Sequence, residues 1–230
     1  DLPDVLINTH FLRDVRLGKY PNGRLSDQAP SLGQRVLVLG GGNVAFDCAR
    51  SALRLGCEVH LACLEDRAQM PAHPWEIEAA EAEGVRMHPA RSFKRILSDG
   101  DHRVAGVECV NVTYMAFDET GRLTLETEPG SEHVLPCDVV IFSIGQRAGL
   151  AFIPESTGVG VTRAQTIAVN PNTLAATRAG VFAAGDATTG TAFVIEAVAS
   201  GHRAAESIHR YLRGDELEPP LKPELPVVEL

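Results

Sequence analysis

A run of glycines at residues 40–42 constrains the fold of this chain more than any other feature of its sequence. The run follows Arg35–Leu39, a short apolar segment of the kind that forms a buried strand. It precedes residues 43–55, whose apolar positions recur with the helical period, and Gly56 then stands where a left-handed residue ends a helix. A second apolar segment at 58–64 completes a strand–helix–strand unit. We therefore predict an α/β fold around a parallel sheet.

The glycine run, with the alanine at position 45, matches the pattern GxGxxG/A. Its place between a strand and a helix makes this pattern specific. The first glycine permits a tight turn, the second lets a pyrophosphate approach the backbone, and the alanine lets the helix pack closely on the strand. Free N–H groups and the positive end of the helix dipole attract the phosphates. A glycine-rich turn without a ligand is the alternative. The predicted dinucleotide-binding residues are Gly40, Gly41, Gly42, Asn43 and Val44.

The end of the second strand distinguishes NAD from NADP. An acidic side chain there bonds the ribose hydroxyls, whereas an arginine accepts the 2′-phosphate. Glu65 occupies this place, so the sequence favours NAD(H) over NADP(H). Arg67 is a candidate contact to a phosphate or to the adenine. The alternative is that these residues form a solvated charged turn.

The remaining pattern extends the sheet and adds an antiparallel part. A short helix is predicted at 9–17, and another, at 75–83, ends at Gly84. Two apolar segments around a turn at 118–121 are typical of an antiparallel meander. The other predicted elements are strands at 85–89, 104–117, 123–128, 138–145 and 180–186, a β-rich connection at 158–169, and a last helix at 193–212.

Composition and charge exclude several classes of function. A net charge of −9 argues against nucleic acid as a partner, because binding phosphate backbones needs a basic surface. No apolar run reaches the roughly 18 residues that would span a bilayer. The five cysteines form no CxxC pair, so we expect reduced, buried thiols in a cytoplasmic protein. The histidines show no metal-ligand spacing, and no metal site is predicted.

Segments at 36–50, 55–56 and 70–72 (VLVLGGGNVAFDCAR, LG and MPA) resemble the glutamate synthase small-subunit family. This family of FAD-dependent NAD(P)H oxidoreductases is a branch of the pyridine nucleotide-disulfide oxidoreductase superfamily. The resemblance continues through 138–146 and 180–186 (GVFAAGD) to about residue 213. It implies a Rossmann-like NAD(P)-binding domain with an antiparallel β-meander, followed by the C-terminal part of an FAD-binding domain. It also implies that hydride passes from NAD(P)H to FAD and electrons pass on to iron–sulfur centres.

The resemblance assigns a second set of residues to cofactors. It implies that Asp186 bonds the ribityl chain of FAD and that the next helix directs its N-terminus at the flavin, where its dipole would stabilise negative charge. Asp186 as only a helix cap is the alternative. No side chain is assigned as a catalytic acid or base. The residues added to the site in this way are Gly145, Gln146, Gly185, Asp186, Ala192, Phe193 and Val194.

Two departures from the family pattern matter. Members that use NADPH carry paired arginines where this chain has Leu64 and Glu65, which again favours NAD(H). The family also begins with a glycine-rich turn for the FAD pyrophosphate, and no such turn precedes Arg35. We therefore expect an incomplete FAD site, completed by a missing N-terminal FAD and iron–sulfur region or by a partner subunit.

The predicted organisation has four parts. A connecting segment (1–30) leads to the NAD(P)H-binding domain (31–147), the C-terminal part of the FAD-binding domain (148–213) and an extended tail (214–230). The alternative function is a non-catalytic dinucleotide-binding or assembly module that needs another chain to complete the FAD site. A disulfide reductase of the same superfamily is a wider alternative, against which the lack of a CxxC pair argues.

Overall fold

The computed structural model describes residues 2–20, 34–118 and 123–217. Most of the predicted turn at 118–121 and of the predicted tail lies outside these ranges. The chain divides into two compact units, Asp1–Gly145 and Gln146–Leu230. The elements of the first unit are β1 (Val5–Ile7), α1 (Asn8–Arg16), β2 (Arg35–Leu39), α2 (Asn43–Arg54), β3 (Glu58–Ala62), α3 (Pro74–Glu83), β4 (Arg86–His88), β5 (Arg91–Ser98), β6 (Val104–Phe117), β7 (Leu123–Thr127), β8 (His133–Pro136) and β9 (Val139–Phe142).

A five-stranded sheet forms the centre of the first unit. Its strands lie in the order β1–β9–β2–β3–β4, and every pairing is parallel. Strands β3 and β4 extend from one side of β2, whereas β9 and β1 lie on the other, so the winding reverses between β2 and β9. Open α/β sheets bind ligands at the carboxyl ends of their strands where the order reverses. The sheet therefore creates such a crevice where β2 ends and the glycine run begins.

Side chains of β2 alternate between two hydrophobic cores. Val38 packs with Phe46 of α2 on one face of the parallel sheet. Leu39 packs on the opposite face with Val107 of β6. The antiparallel path β5–β6–β7, with β8 also paired to β6, supplies the cover of this second face. The predicted α/β fold, with a parallel sheet and an antiparallel meander, is confirmed.

An ion pair with a buried carboxylate connects the start of β1 to the antiparallel sheet. Arg103 donates from Nε and Nη2 to the two carboxylate oxygens of Asp4, each over 2.6 Å. The Asp4 side chain is fully buried, and it also accepts the backbone N–H of Val104 at 3.3 Å. Because a buried carboxylate is costly unless it is paired, this bidentate contact fixes where β6 begins relative to β1.

A backbone path also joins the end of β3 to β6. The Ala90 N–H donates to the Glu65 carbonyl at 2.7 Å, and the Ala90 carbonyl accepts the Val112 N–H at 2.9 Å. Ala90 has a φ of +53°, which is uncommon for a residue with a side chain. The chain thus turns through a left-handed residue as it passes from one sheet to the other.

The second unit contains helices α4 (Asp186–Thr189) and α5 (Val194–Arg213) and a series of isolated β-bridges. The predicted strand at 180–186 is wrong. Among the residues that the structure describes, only Phe182 of this segment forms a β-bridge, to Ala175. A strand needs a neighbour along its length, and apolar composition alone does not supply one.

The first helices match their sequence signals closely. Helix α2 ends at Arg54, and Gly56 has a φ of +90°, as predicted for a residue that ends a helix. Helix α3 ends at Gly84, which is left-handed with a φ of +106°. The sequence did not predict strands β1, β5 and β8.

The five cysteines are all free and buried. Burial raises the pKa of Cys48, Cys63 and Cys137 to about 12 in each case. A thiol with so high a pKa carries little thiolate at neutral pH and is a poor nucleophile.

Two histidines form a hydrogen-bonded pair on β3 and the neighbouring edge strand β4. His60 Nδ1 lies 2.8 Å from His88 Nε2, and the rings are nearly parallel with centroids 5.0 Å apart, which suits an edge-to-edge N–H···N bond. Glu58 Oε1 lies 3.3 Å from His60 Nε2, so that nitrogen carries a hydrogen. Burial lowers the pKa of His88, and the charges of His60 and Arg91 act in the same direction. The folded chain therefore favours neutral His88.

We predict that acid destabilises the first unit partly through His88. Its folded pKa lies below the ordinary value of about 6.5, so its stabilising effect is complete above that pH and is lost as the pH falls through the folded pKa. His88→Asn should flatten the decline of the free energy of unfolding between about pH 7.5 and about pH 5.5, measured in urea. The matched control is His10→Asn at an exposed position of α1, and its slope is the reference. Equal slopes for both variants would contradict this prediction.

Candidate functional site

Gly40 begins the turn at the carboxyl end of β2 and has no room for a side chain. Its φ is +135°, and an ideal Cβ would lie 2.2 Å from the carbonyl oxygen of Ser143, just beyond the end of β9. The Gly40 N–H donates to the Ala62 carbonyl of β3 at 2.8 Å. The turn is therefore packed between the ends of two neighbouring strands, and glycine is required there.

The next two glycines differ in their surroundings. A Cβ on Gly41 would lie 3.0 Å from Glu65 Oε2 and 3.1 Å from the Cβ of Cys63. A Cβ on Gly42 would meet nothing within 4 Å. The turn thus has a closed side at Gly41 and an open side at Gly42.

The open side of the turn coincides with the start of α2. Gly42 is the N-cap residue, and no side chain of the described part of the chain caps the helix. The first N–H groups of a helix need partners, and an anion is a suitable one. Asn43 and Val44 open the helix and are only partly buried. This geometry suits a phosphate approaching the backbone.

Glu65 and Arg67, both predicted site residues, differ in their positions. The Glu65 carboxylate lies against Gly41, as the contact distance above shows. Arg67 donates from Nε and Nη2 to the carboxylate of Glu81 on α3, over 2.9 and 2.5 Å. This pair holds the pKa of Glu81 below its usual value. The structure brings Glu65 to the glycine turn and leaves the Arg67 guanidinium on α3.

A small cleft opens beside the residues that follow β3. Its volume is about 50 Å³. Leu64 and Gln69 line one part of it, and Val112, Tyr114 and Met115 of β6 line another. Half of Tyr114 is exposed. The antiparallel sheet therefore contributes side chains next to the predicted ribose-binding glutamate.

Two polar side chains near the crevice form hydrogen bonds, of which Asn43 was a predicted site residue and Asn8 was not. Asn8, buried at the start of α1, donates from Nδ2 to Ser143 Oγ at 3.3 Å. Asn43 Oδ1 accepts the backbone N–H of His73 at 2.9 Å. The sequence signal for Asn8 would have been a polar residue directly after a three-residue apolar strand, which is too short to recognise.

The predicted flavin-binding residues, apart from Gly145, lie in the second unit. The Gly185 N–H donates to Ser200 Oγ of α5 at 2.9 Å, and Asp186 is exposed as the first residue of α4. At the start of α5 the Phe193 N–H donates to the Glu196 carboxylate at 2.9 Å, whereas Val194 is 81% exposed. Ala192 is half-buried just before them. The Phe193 N–H, one backbone donor of the predicted flavin contact, is therefore already hydrogen-bonded to a side chain of α5.

Gly145 and Gln146 stand at the division between the two units. Gly145 has a φ of +107°, and a Cβ built on it would meet nothing within 4 Å. The Gln146 carbonyl accepts the hydroxyl of Thr191 at 3.3 Å, within the second unit.

Neither a metal site nor a membrane span is found in the described ranges. Residues 2–20, 34–118 and 123–217 contain no group of three or more histidine, cysteine, aspartate or glutamate side chains that could hold a metal ion. In the same ranges, no helix combines the length and the apolar character needed to cross a bilayer.

The fold and the turn define a class of protein. A glycine turn at the reversal of a parallel sheet, open on the side where the next helix begins, is the arrangement of dinucleotide-binding α/β domains. Residues 5–201 match the family model described as pyridine nucleotide-disulphide oxidoreductase. The chain therefore belongs to the pyridine nucleotide-disulphide oxidoreductase family, as its sequence predicted.

Similar proteins include subunits of larger enzymes. The chain is 45% identical over 217 residues to the NADP(+)-dependent formate dehydrogenase subunit beta of Moorella thermoacetica, covering 94% of this chain and 29% of that protein. It is 36% identical to the glutamate synthase [NADPH] small chain of Azospirillum brasilense, covering 84% of this chain and 39% of that one. The chain thus spans about a third of the length of these relatives.

A solved structure shares the fold. The thioredoxin reductase of T. acidophilum superposes with a TM-score of 0.63 at 22% identity, over 91% of this chain and 57% of that one. The resemblance to the glutamate synthase small chain is confirmed at the level of the family.

We predict losses of stability of very different size for alanine at the first and third glycines. Gly40→Ala forces a Cβ against the Ser143 carbonyl at a positive φ, and should cost more than about 4 kcal/mol of the free energy of unfolding or prevent folding. Gly42→Ala adds a Cβ to open space at an extended N-cap and should cost about 1 kcal/mol or less. Urea unfolding of both variants measures the difference, and similar losses would contradict the assigned packing of Gly40.

Proposed function

We propose that the turn at Gly40, Gly41, Gly42, Asn43 and Val44 binds the pyrophosphate of NAD(P)H. The observation that carries this proposal is the open space at Gly42 directly before the uncapped start of α2. A pyrophosphate there would accept hydrogen bonds from the first backbone N–H groups of α2 and would benefit from the helix dipole. The printed names of the relatives, which include NADP(+) and NADPH, support a nicotinamide dinucleotide.

Glu65 supports NAD(H) over NADP(H) in this site. Its carboxylate lies beside Gly41, where it would accept hydrogen bonds from ribose hydroxyls and would repel a 2′-phosphate. The relatives named above are NADP-dependent by name, so the preference rests on Leu64 and Glu65 themselves. The cleft lined by Leu64 and Tyr114 supports a place for the adenine, while Arg67 is paired with α3.

We further propose that the chain is the NAD(P)H-binding part of an FAD-dependent oxidoreductase. The family and the exposed start of α5 next to Gly185 and Asp186 support a flavin contact at Ala192, Phe193 and Val194. When bound, the two cofactors supply hydride transfer, and the chain would hold and align their rings and exclude water. A side-chain acid or base is not needed for that transfer.

The rest of the flavin site would come from outside this chain. Relatives roughly two to three times as long support a further region elsewhere in the protein or on a partner subunit, where we place FAD and the iron–sulfur centres to which electrons pass. Residues 31–147 would form the NAD(P)H domain and 148–213 the C-terminal part of the FAD domain. The division of the chain after Gly145 is consistent with a boundary near that point.

A non-catalytic binding or assembly module is the second candidate. The exposure of Val194 and Ile195 at the start of α5, 81% and 72%, favours a surface that another chain covers. Under this proposal the chain binds the dinucleotide but does not pass electrons.

Flavin spectra separate the two candidates. The chain, alone and together with its natural partner, is incubated with FAD, and NADH is added without oxygen. The oxidoreductase hypothesis predicts that the flavin absorption band bleaches with NADH. Gly42→Ala should slow the bleaching at low NADH, because the added Cβ occupies the space proposed for the pyrophosphate. Dinucleotide binding without bleaching in the complete assembly would support the module instead.

We predict that Leu64→Arg with Glu65→Arg moves preference toward NADPH. The change removes the repulsive carboxylate and supplies guanidinium groups for the 2′-phosphate, so the ratio of NADPH to NADH affinity should rise at least about tenfold. Titration calorimetry with both nucleotides measures the ratio. Asp101→Arg, in the exposed turn between β5 and β6, controls for charge and should change the ratio far less. Equal ratios in all three proteins would show that this strand end does not select the cofactor.

A further inference from the structure

Residues 70–73, which we call the strap, cross the glycine turn on the way from β3 to α3. Met70 and Ala72 are buried in the core that contains α2, and their burial anchors the strap. The Ala72 N–H donates to the Gly41 carbonyl at 3.1 Å. The next N–H, that of His73, donates to the Asn43 side chain at 2.9 Å. Two successive backbone donors therefore bind the strap to residues on either side of Gly42.

The residues after the strap are held by ion pairs as well. Arg50 of α2 donates from Nη1 to Glu76 at 2.8 Å and from Nη2 to Glu83 at 2.7 Å, one contact at each end of α3. The Arg50 and Glu76 side chains are largely buried. Because α2 and α3 each follow a strand of one parallel sheet, both begin at its carboxyl edge. The start of α3 is therefore fixed beside the start of α2.

Two aromatic side chains project from this fixed position. His73 is exposed, and Trp75 is 59% exposed, with their ring planes 12° apart and ring centroids 6.1 Å apart. The buried residues of α3 are Ile77 and Ala80, so Trp75 is not one of the side chains by which α3 packs on the core of the first unit. A large aromatic ring at the surface of a well-anchored segment is available to contact a ligand.

We propose that His73 and Trp75 form one wall of the dinucleotide site and that Asn43 is the residue that positions this wall. The inference rests on the proposed function and adds a ligand contact to it. The ring faces would pack against the ribose and diphosphate that extend past the open side at Gly42. Asn43 would act through its side-chain oxygen on the His73 N–H, without requiring its own contact to the ligand.

Trp75 is the single tryptophan of the chain, so tryptophan fluorescence reports on this side chain alone. ADP-ribose, which carries the diphosphate but no nicotinamide, is titrated into the full chain while tryptophan emission is recorded, and binding is measured separately by calorimetry. We expect the emission to change with the calorimetric binding curve, and adenosine, which lacks the diphosphate, to leave it unchanged. ADP-ribose binding without an emission change would overturn the wall while leaving the proposed function intact. Absence of ADP-ribose and NADH binding in calorimetry would instead refute the proposed function.

Proline and alanine at position 73 isolate the hydrogen bond to Asn43. The His73 φ of −62° suits proline, so His73→Pro removes the N–H donor together with the imidazole, whereas His73→Ala removes the imidazole alone. His73→Pro should lower ADP-ribose affinity about five- to tenfold more than His73→Ala, the usual effect of one hydrogen bond. Asn43→Ala removes the acceptor instead, and provides the same test if the proline variant does not fold.

The positioning role has a signature that general damage to the fold does not share. Asn43→Ala should weaken ADP-ribose binding and reduce the emission change of Trp75, while the affinity for adenosine stays as in the unaltered chain. In the His73→Pro background, Asn43→Ala should cause little further loss, because both changes remove the same bond. Equal ADP-ribose affinity in His73→Pro and His73→Ala, or additive losses in the double variant, would overturn the role of Asn43.

Discussion

The close approach of β2 and β9 at their carboxyl ends is the constraint on which the rest of the first unit depends. Gly40 leaves no space between its Cα and the Ser143 carbonyl, and the Ser143 N–H in turn donates to Leu39. The chain can leave β2 only by a turn without side chains, and that turn determines where α2 starts. The open backbone at Gly42 is thus a consequence of how two strands end.

The parallel sheet is covered differently on its two faces. Helices α1, α2 and α3 supply one core, and the antiparallel strands supply the other through residues such as Val107. The ion pair of the buried Asp4 carboxylate with Arg103 joins the beginning of the first strand to the antiparallel sheet. The antiparallel part is therefore a structural half of the nucleotide-binding unit, with its own contribution to the site.

Much of this arrangement could be predicted because its signals are local. Helical periodicity and flanking glycines located α2 and α3, and the strand–turn–helix context located Gly40 and Glu65. Strand β5 was missed because its pairing shifts between Phe93 and Arg95, which breaks the alternation of side chains. The position of the strap over the glycine turn was not predicted, because backbone N–H groups hold it and every residue except proline provides one. The prediction of a strand at 180–186 was wrong because strand pairing depends on neighbouring segments that a local pattern does not reveal.

Ala90 connects the residue proposed to choose the cofactor to a distant part of the chain. The N–H and the carbonyl of Ala90 link the backbone of Glu65 to that of Val112 through two hydrogen bonds. Val112 lies in β6, the strand that leads to the meander hairpin. A shift in the register of that hairpin would move the Glu65 backbone without changing any residue of the turn. Coenzyme choice in such a protein can therefore drift during evolution through substitutions in a hairpin that lies outside the ribose-binding residues, and a comparison of those residues alone would not detect the cause.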